Sequence, residues 1–184
     1  MAPEVYTLIA VLVIATAYVV HRLLLGGHEF RKFSGKMVVT CPENHQTVAV
    51  KVAAGRAAAA AVVGKENVGL SQCTRWPEKS DCDQACLRDL KAAPEAHSVW
   101  GIASKWYEGK SCVYCHRPIS HLSHLDHPPA LIGFDGKIIE WEKVPPEKLT
   151  AELSAARAVC WNCNVVEGFR QEHPEMIIDR PWQH

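Results

Sequence analysis

From Val5 to Val20 the chain reads VYTLIAVLVIATAYVV without one charged residue, and Leu23, Leu24 and Leu25 prolong the apolar run past His21 and Arg22. Counted through Leu25, this stretch approaches the ~20 residues that an α-helix needs to cross a hydrocarbon core about 30 Å thick. A transmembrane helix is therefore expected. A cleaved signal peptide should carry a basic leading segment and a small-residue cleavage site, yet residues 1–4 contain no Lys or Arg and the run ends in basic and bulky residues. The reading is a retained anchor over 1–27. The fixed positive charges Arg22, Arg31, Lys32 and Lys36 all follow the span. By the positive-inside rule this expects a single-pass protein of the inner or cell membrane with its soluble part in the cytoplasm.

The remaining length suffices for one ordinary domain or two very small ones, within 184 residues overall. Lys+Arg and Asp+Glu are equal at 20 each, so no global basic field points to nucleic acid. The anomaly is eight cysteines with ten histidines. In a reducing cytoplasm disulfides are disfavoured and metal ligation gains weight.

Around Gly26 and Gly27 a linker is expected. Beyond it, KMVVTC (36–41) and TVAVKV (47–52) are β-branched runs separated by a turn-forming Pro42–Gln46, and read as a hairpin. Residues 53–63 are alanine-rich and favour helix despite Gly55. Ser80 or Asp81 is positioned to cap a helix over 82–93, stopped by Pro94. A helix ending at Gly109, a hairpin turning at Phe134-Asp135-Gly136, a helix over 147–157 and another over 165–172 complete the reading. The expected class is α+β: one transmembrane helix followed by small cysteine-rich hairpin-plus-helix lobes, 28–97 with four cysteines and 98–184 with the other four.

Cys112-Val-Tyr-Cys115 and Cys160-Trp-Asn-Cys163 are two CxxC pairs. Two intervening residues let both sulfurs of a tight turn point at one ion, and two such pairs complete a tetrahedral shell. The pairs resemble the double knuckle of zinc ribbons and rubredoxins, with a longer spacer. That resemblance implies structural Zn²⁺, or redox-active iron, on Cys112, Cys115, Cys160 and Cys163. Four thiolates on Zn²⁺ leave no open position, so such a site would stabilise rather than catalyse.

A second reading runs through His116, because Cys112–His116 spells C-x-x-C-H, the attachment motif of c-type haem. Cys112, Cys115 and His116 would then hold the haem, with Met176 or His121, His124 and His127 as further ligands. The same three histidines read better as surface or hydrogen-bonded groups, since Pro118, Pro128 and Pro129 favour a loop.

Cys41, Cys73, Cys82 and Cys86 form a looser set, with Cys82 and Cys86 at i and i+4 of the expected helix. A second four-sulfur site holding zinc or an iron–sulfur cluster is the reading preferred here. The alternative is that Cys41 or Cys73 is a small buried core residue.

No P-loop, dinucleotide-binding glycine signature, GxSxG elbow or HExxH helix occurs. A thiol oxidoreductase at Cys160-Trp-Asn-Cys163 stays open. The expected function is non-enzymatic: a metal-binding accessory or scaffold subunit docked on a larger membrane complex, with neither nucleic acid nor a small-molecule substrate as partner. A membrane-tethered electron carrier with iron–thiolate, Fe–S or haem c is the alternative.

Overall fold

The computed structural model describes residues 3–79, 81–119, 121–123 and 127–176. It contains two compact units, Met1–Ser98 and Val99–His184.

The first unit begins with α1 (Pro3–Lys32), a single helix long and apolar enough to cross a membrane, and none of its apolar window is buried by the rest of the described chain. Its two described threonine hydroxyls donate back to their own helix, Thr7 to the Glu4 carbonyl at 2.8 Å and Thr16 to the Leu12 carbonyl at 2.8 Å. Such back-bonding leaves neither threonine hydroxyl proton unpaired on the apolar surface.

No linker interrupts α1 at Gly26 and Gly27, contrary to the sequence reading. The helix continues because its last turns pack on α2 (Ala54–Val62). Gly26 is the buried contact: a Cβ there would stand 2.6 Å from Val62 Cγ2 and 3.1 Å from the Ala58 carbonyl oxygen. Glycine is used for close approach of two backbones rather than for a turn. Arg22 reinforces the contact by donating from Nε to the Val62 carbonyl at 2.6 Å and from Nη2 to the Ala61 carbonyl at 2.9 Å. The Ala61 carbonyl also accepts the Gly64 N–H at 3.0 Å, and both carbonyls lie at the C-terminal end of α2, where a cation is favoured.

Strands β1 (Lys36–Thr40) and β2 (Thr47–Val52) form the expected hairpin, with Thr40 opposite Thr47. The third strand, β3 (Leu70–Cys73), was not expected from sequence and pairs antiparallel with β2, setting Cys73 opposite Val50. Val48, Val50 and Val52 point from β2 into a core with Phe33, Met37, Leu70 and Leu90. The helix expected over 82–93 is shorter: α3 spans Leu87–Ala92, while Gln84 has a left-handed φ of 58° that breaks any helix through Cys82–Cys86. Asp81 therefore caps nothing here, and Ser80 lies outside the described residues. Pro94 opens α4 (Pro94–His97), and His97 Nδ1 lies 2.9 Å from the Val38 carbonyl, covering β1.

In the second unit α5 (Val99–Tyr107) ends before Gly109, whose φ of 70° needs glycine's freedom. Strands β4 (Ala130–Ile132) and β5 (Ile138–Ile139) flank the Asp135-Gly136 turn. After α6 (Pro146–Ala155) comes β6 (Arg157–Val159), absent from the sequence reading, which joins β4 to give the order β5-β4-β6. Helix α7 (Trp161–Glu172) starts four residues earlier than expected and takes Cys163 into its first turn. Tyr107, Leu131, Trp141, Leu149 and Leu153 form the core between α5, α6 and the sheet.

Candidate metal centre

In the second unit the chain brings the two CxxC pairs together through β6. The Val113 N–H donates to the Ala158 carbonyl at 3.0 Å, so the first pair runs beside β6, and β6 leads directly into Cys160. Cys112, Cys160 and Cys163 then pack with Ala130, Ile132 and Val159 of β4 and β6, and Cys115 stays exposed. This is how the long spacer between the pairs is closed.

The first pair sits in a tight loop bracketed by a Ser111–Pro118 bridge. The Cys112 N–H donates to the Arg117 carbonyl at 2.9 Å, and the His116 N–H to the Cys112 carbonyl at 2.9 Å. His116 adopts φ 58°, a left-handed conformation in which histidine is enriched among non-glycine residues. Cys160 stands at the N-cap of α7 and Cys163 in its first turn, where the helix dipole favours negative charge.

The four Sγ atoms of Cys112, Cys115, Cys160 and Cys163 all lie within 4.8 Å of one another, and the Cys115–Cys160 separation is 3.7 Å. A tetrahedral shell with Zn–S bonds of about 2.3 Å has S···S edges of about 3.8 Å. The group could therefore hold one metal ion. It is the one such group of His, Cys, Asp or Glu among the described residues. All eight cysteines are unbridged.

The electrostatics of the quartet are uneven. Burial pushes the Cys112 thiol up, but N–H groups of Cys160, Cys115 and Tyr114 pointing at its sulfur outweigh burial and bring it down to about 6. Burial and the neighbouring Cys160, Cys112 and Cys115 sulfurs push Cys163 well above the ordinary thiol range. Cys160 is also raised, chiefly by burial. One thiolate is thus preformed, and the crowding of the others is what a cation would relieve.

The remaining expected residues divide. His121 and His127 line a cavity of about 190 Å³ beside Cys160, and His127 stacks on Trp161 with centroids 4.3 Å apart. His124 lies outside the described residues, and Met176 is exposed. In the first unit Cys41, Cys73, Cys82 and Cys86 do line one small cavity, although Cys82 and Cys86 do so from a turn rather than from one helix face. Sequence reasoning missed Arg75, whose Nη1 lies 3.1 Å from Cys41 Sγ.

Searches against protein-family models, curated proteins and solved structures each return no match. The fold and site by themselves define a mixed α and β chain that carries one helix able to cross a membrane and a four-cysteine cluster able to hold a metal ion.

Proposed function

We propose that this protein is a membrane-anchored metal-binding accessory or scaffold subunit of a larger membrane complex, with structural zinc on Cys112, Cys115, Cys160 and Cys163. The observation that carries the reading is the four-sulfur cluster with edges close to those of a zinc–thiolate tetrahedron. A closed shell of four thiolates offers no position for substrate, which suits a stabilising role. An iron–sulfur cluster interposes its own irons and sulfides between the cysteines, so sulfurs this close suit a single ion better. The left-handed turn position of His116 accounts for that histidine without haem, because the same position is filled by His45 in a loop that has no CxxC.

Helix α1 anchors the protein. Its stretch from Val5 to His21, every residue of which is exposed, is about 17 residues, or about 26 Å, at the lower limit of spanning lengths. The basic residues that follow favour a cytoplasmic soluble part. Metal analysis and a visible spectrum of the purified full-length protein test the site. Colourless protein whose zinc content falls by about one per chain in Cys160→Ser/Cys163→Ser supports the reading. Iron–thiolate charge-transfer bands would transfer it to the electron-carrier class, and a Soret band persisting after denaturation would replace it with haem. Side-specific labelling of a C-terminal tag in sealed vesicles tests the orientation.

A further inference from the structure

The loop that carries Cys112 has a counterpart in the first unit. Thr40 pairs with Thr47 as Ser111 pairs with Pro118. Between them the Cys41 N–H donates to the Gln46 carbonyl at 2.8 Å and the His45 N–H to the Cys41 carbonyl at 2.8 Å, reproducing the bonds of Cys112 and His116. His45 has φ 55°, against 58° for His116. In both loops the N–H groups two and three residues after the cysteine point at its sulfur: Glu43 and Asn44 at Cys41, Tyr114 and Cys115 at Cys112. The sequences CPENHQ and CVYCHR thus fold into one knuckle, and Asn44 occupies the place of Cys115. Asn44 is turned to other work, with Nδ2 donating to Gln46 Oε1 at 3.0 Å and Oδ1 accepting the Gln46 N–H at 3.1 Å.

A knuckle with one sulfur needs its other ligands from elsewhere, and the first unit supplies three. Cys73 ends β3 directly beside the hairpin, held there by the Thr74 N–H on the Ala49 carbonyl at 3.0 Å and the Ala49 N–H on Thr74 Oγ1 at 3.2 Å. The turn carrying Cys82 and Cys86 is pinned to the start of the same strand, because Gln84 Oε1 accepts the Leu70 N–H at 2.9 Å. The backbone N–H of Gln84 also faces Cys82 Sγ at 3.4 Å, a second N–H···S contact of the knuckle type. All four cysteines line one cavity with about 20 Å³ open to the centre of a water-sized sphere. That is room for about one water-sized occupant.

We propose that Cys41, Cys73, Cys82 and Cys86 form a second, independent zinc site, built on a half-knuckle whose lost cysteine is replaced by sulfurs from β3 and the 82–86 turn. These sulfurs are not gathered within 4.8 Å of one another as the quartet of the second unit is, so the ion has to draw them together across the cavity they line. Arg75 is its positioning residue: its guanidinium donates to Cys41 Sγ at 3.1 Å and to Glu43, which also accepts from Lys79 Nζ at 2.7 Å. Four thiolates on a divalent ion leave two negative charges, and Arg75 offsets part of that excess. β3 is already paired with β2, whereas the 82–86 turn meets the hairpin across this cavity, so an ion there ties the ligand loops of the unit together.

The test counts zinc per chain in full-length protein purified in detergent under reducing conditions. Wild type should hold two. Cys82→Ser/Cys86→Ser should hold one, and Cys160→Ser/Cys163→Ser should also hold one, so loss of either site is read separately. To guard against misfolding, Cys82→His keeps a zinc-binding side chain; it should retain two metals, and on cobalt substitution should weaken the thiolate-to-cobalt absorption. Zinc content unchanged by Cys82→Ser/Cys86→Ser, or disulfides among these four cysteines in alkylated protein, would overturn the proposal.

Discussion

Gly26 and Gly27 are adjacent in one helix, yet replacing each with alanine should have opposite consequences. At either position alanine gains about 0.5–1 kcal/mol by restricting the unfolded chain and improving helix propensity. At Gly27 nothing lies within 4 Å of the added Cβ, so the gain stands. At Gly26 the Cβ would meet Val62 Cγ2 at 2.6 Å and the Ala58 carbonyl oxygen at 3.1 Å. The valine is stiff at χ1 and the carbonyl belongs to the backbone of α2, so neither yields without moving the helix. Overpacking of this kind costs about 1–3 kcal/mol. The propensity gain cancels between the two variants, leaving a difference of about 1–3 kcal/mol, or roughly 5- to 150-fold in the opening equilibrium of α2. Amide hydrogen exchange across Ala57–Val62 in detergent-solubilised protein reads that equilibrium directly. Gly26→Ala should accelerate exchange relative to Gly27→Ala. Equal protection in the two variants would refute the close helix contact and with it the rigid coupling of anchor to soluble unit.

Arg22→Met keeps the aliphatic stem but removes both donors to the Ala61 and Val62 carbonyls, and should raise exchange at the end of α2 by a factor corresponding to about 1.5–3 kcal/mol, leaving the second unit unchanged. Tyr107→Phe removes a buried hydroxyl with no hydrogen-bond partner among the described residues, and should raise the unfolding midpoint of the second unit by an amount worth about 1 kcal/mol. The Cys112 thiol, drawn down to about 6 from an unfolded value near 8.5, stabilises the metal-free fold above about pH 8.5 and loses that contribution as pH falls through about 6. It follows that zinc binding to the metal-free protein should release about one more proton at pH 5 than at pH 7.5, measured by calorimetry in buffers of different ionisation enthalpy. A proton count independent of pH would remove the preformed thiolate.

How far the fold could be read from sequence depended on how local its causes are. The β1–β2 hairpin and α2 were legible because β-branched runs and an alanine stretch act within a few residues. β6 was not, since Arg157–Val159 is three residues long and is a strand only because β4 lies beside it. Gly26 and Gly27 looked like a linker because the sequence does not show the α2 surface that Gly26 fits. The CxxC pairs revealed the cluster in the second unit, as their spacing alone aims two sulfurs together. The repeated knuckle was hidden because its two copies share little beyond a cysteine followed four residues later by histidine. Cys41–His45 and Cys112–His116 are the one visible trace of it. The expected helix over 82–93 failed at Gln84, whose left-handed backbone is held by contacts to Leu70 and Cys82 that lie outside helix propensity.

The central claim is that Cys112, Cys115, Cys160 and Cys163 share one zinc ion. Zinc-edge X-ray absorption on the Cys82→Ser/Cys86→Ser protein isolates that site. The account expects one zinc per chain surrounded by four sulfurs at about 2.3 Å. A metal-free protein, or a first shell containing nitrogen or oxygen in place of sulfur, would contradict it.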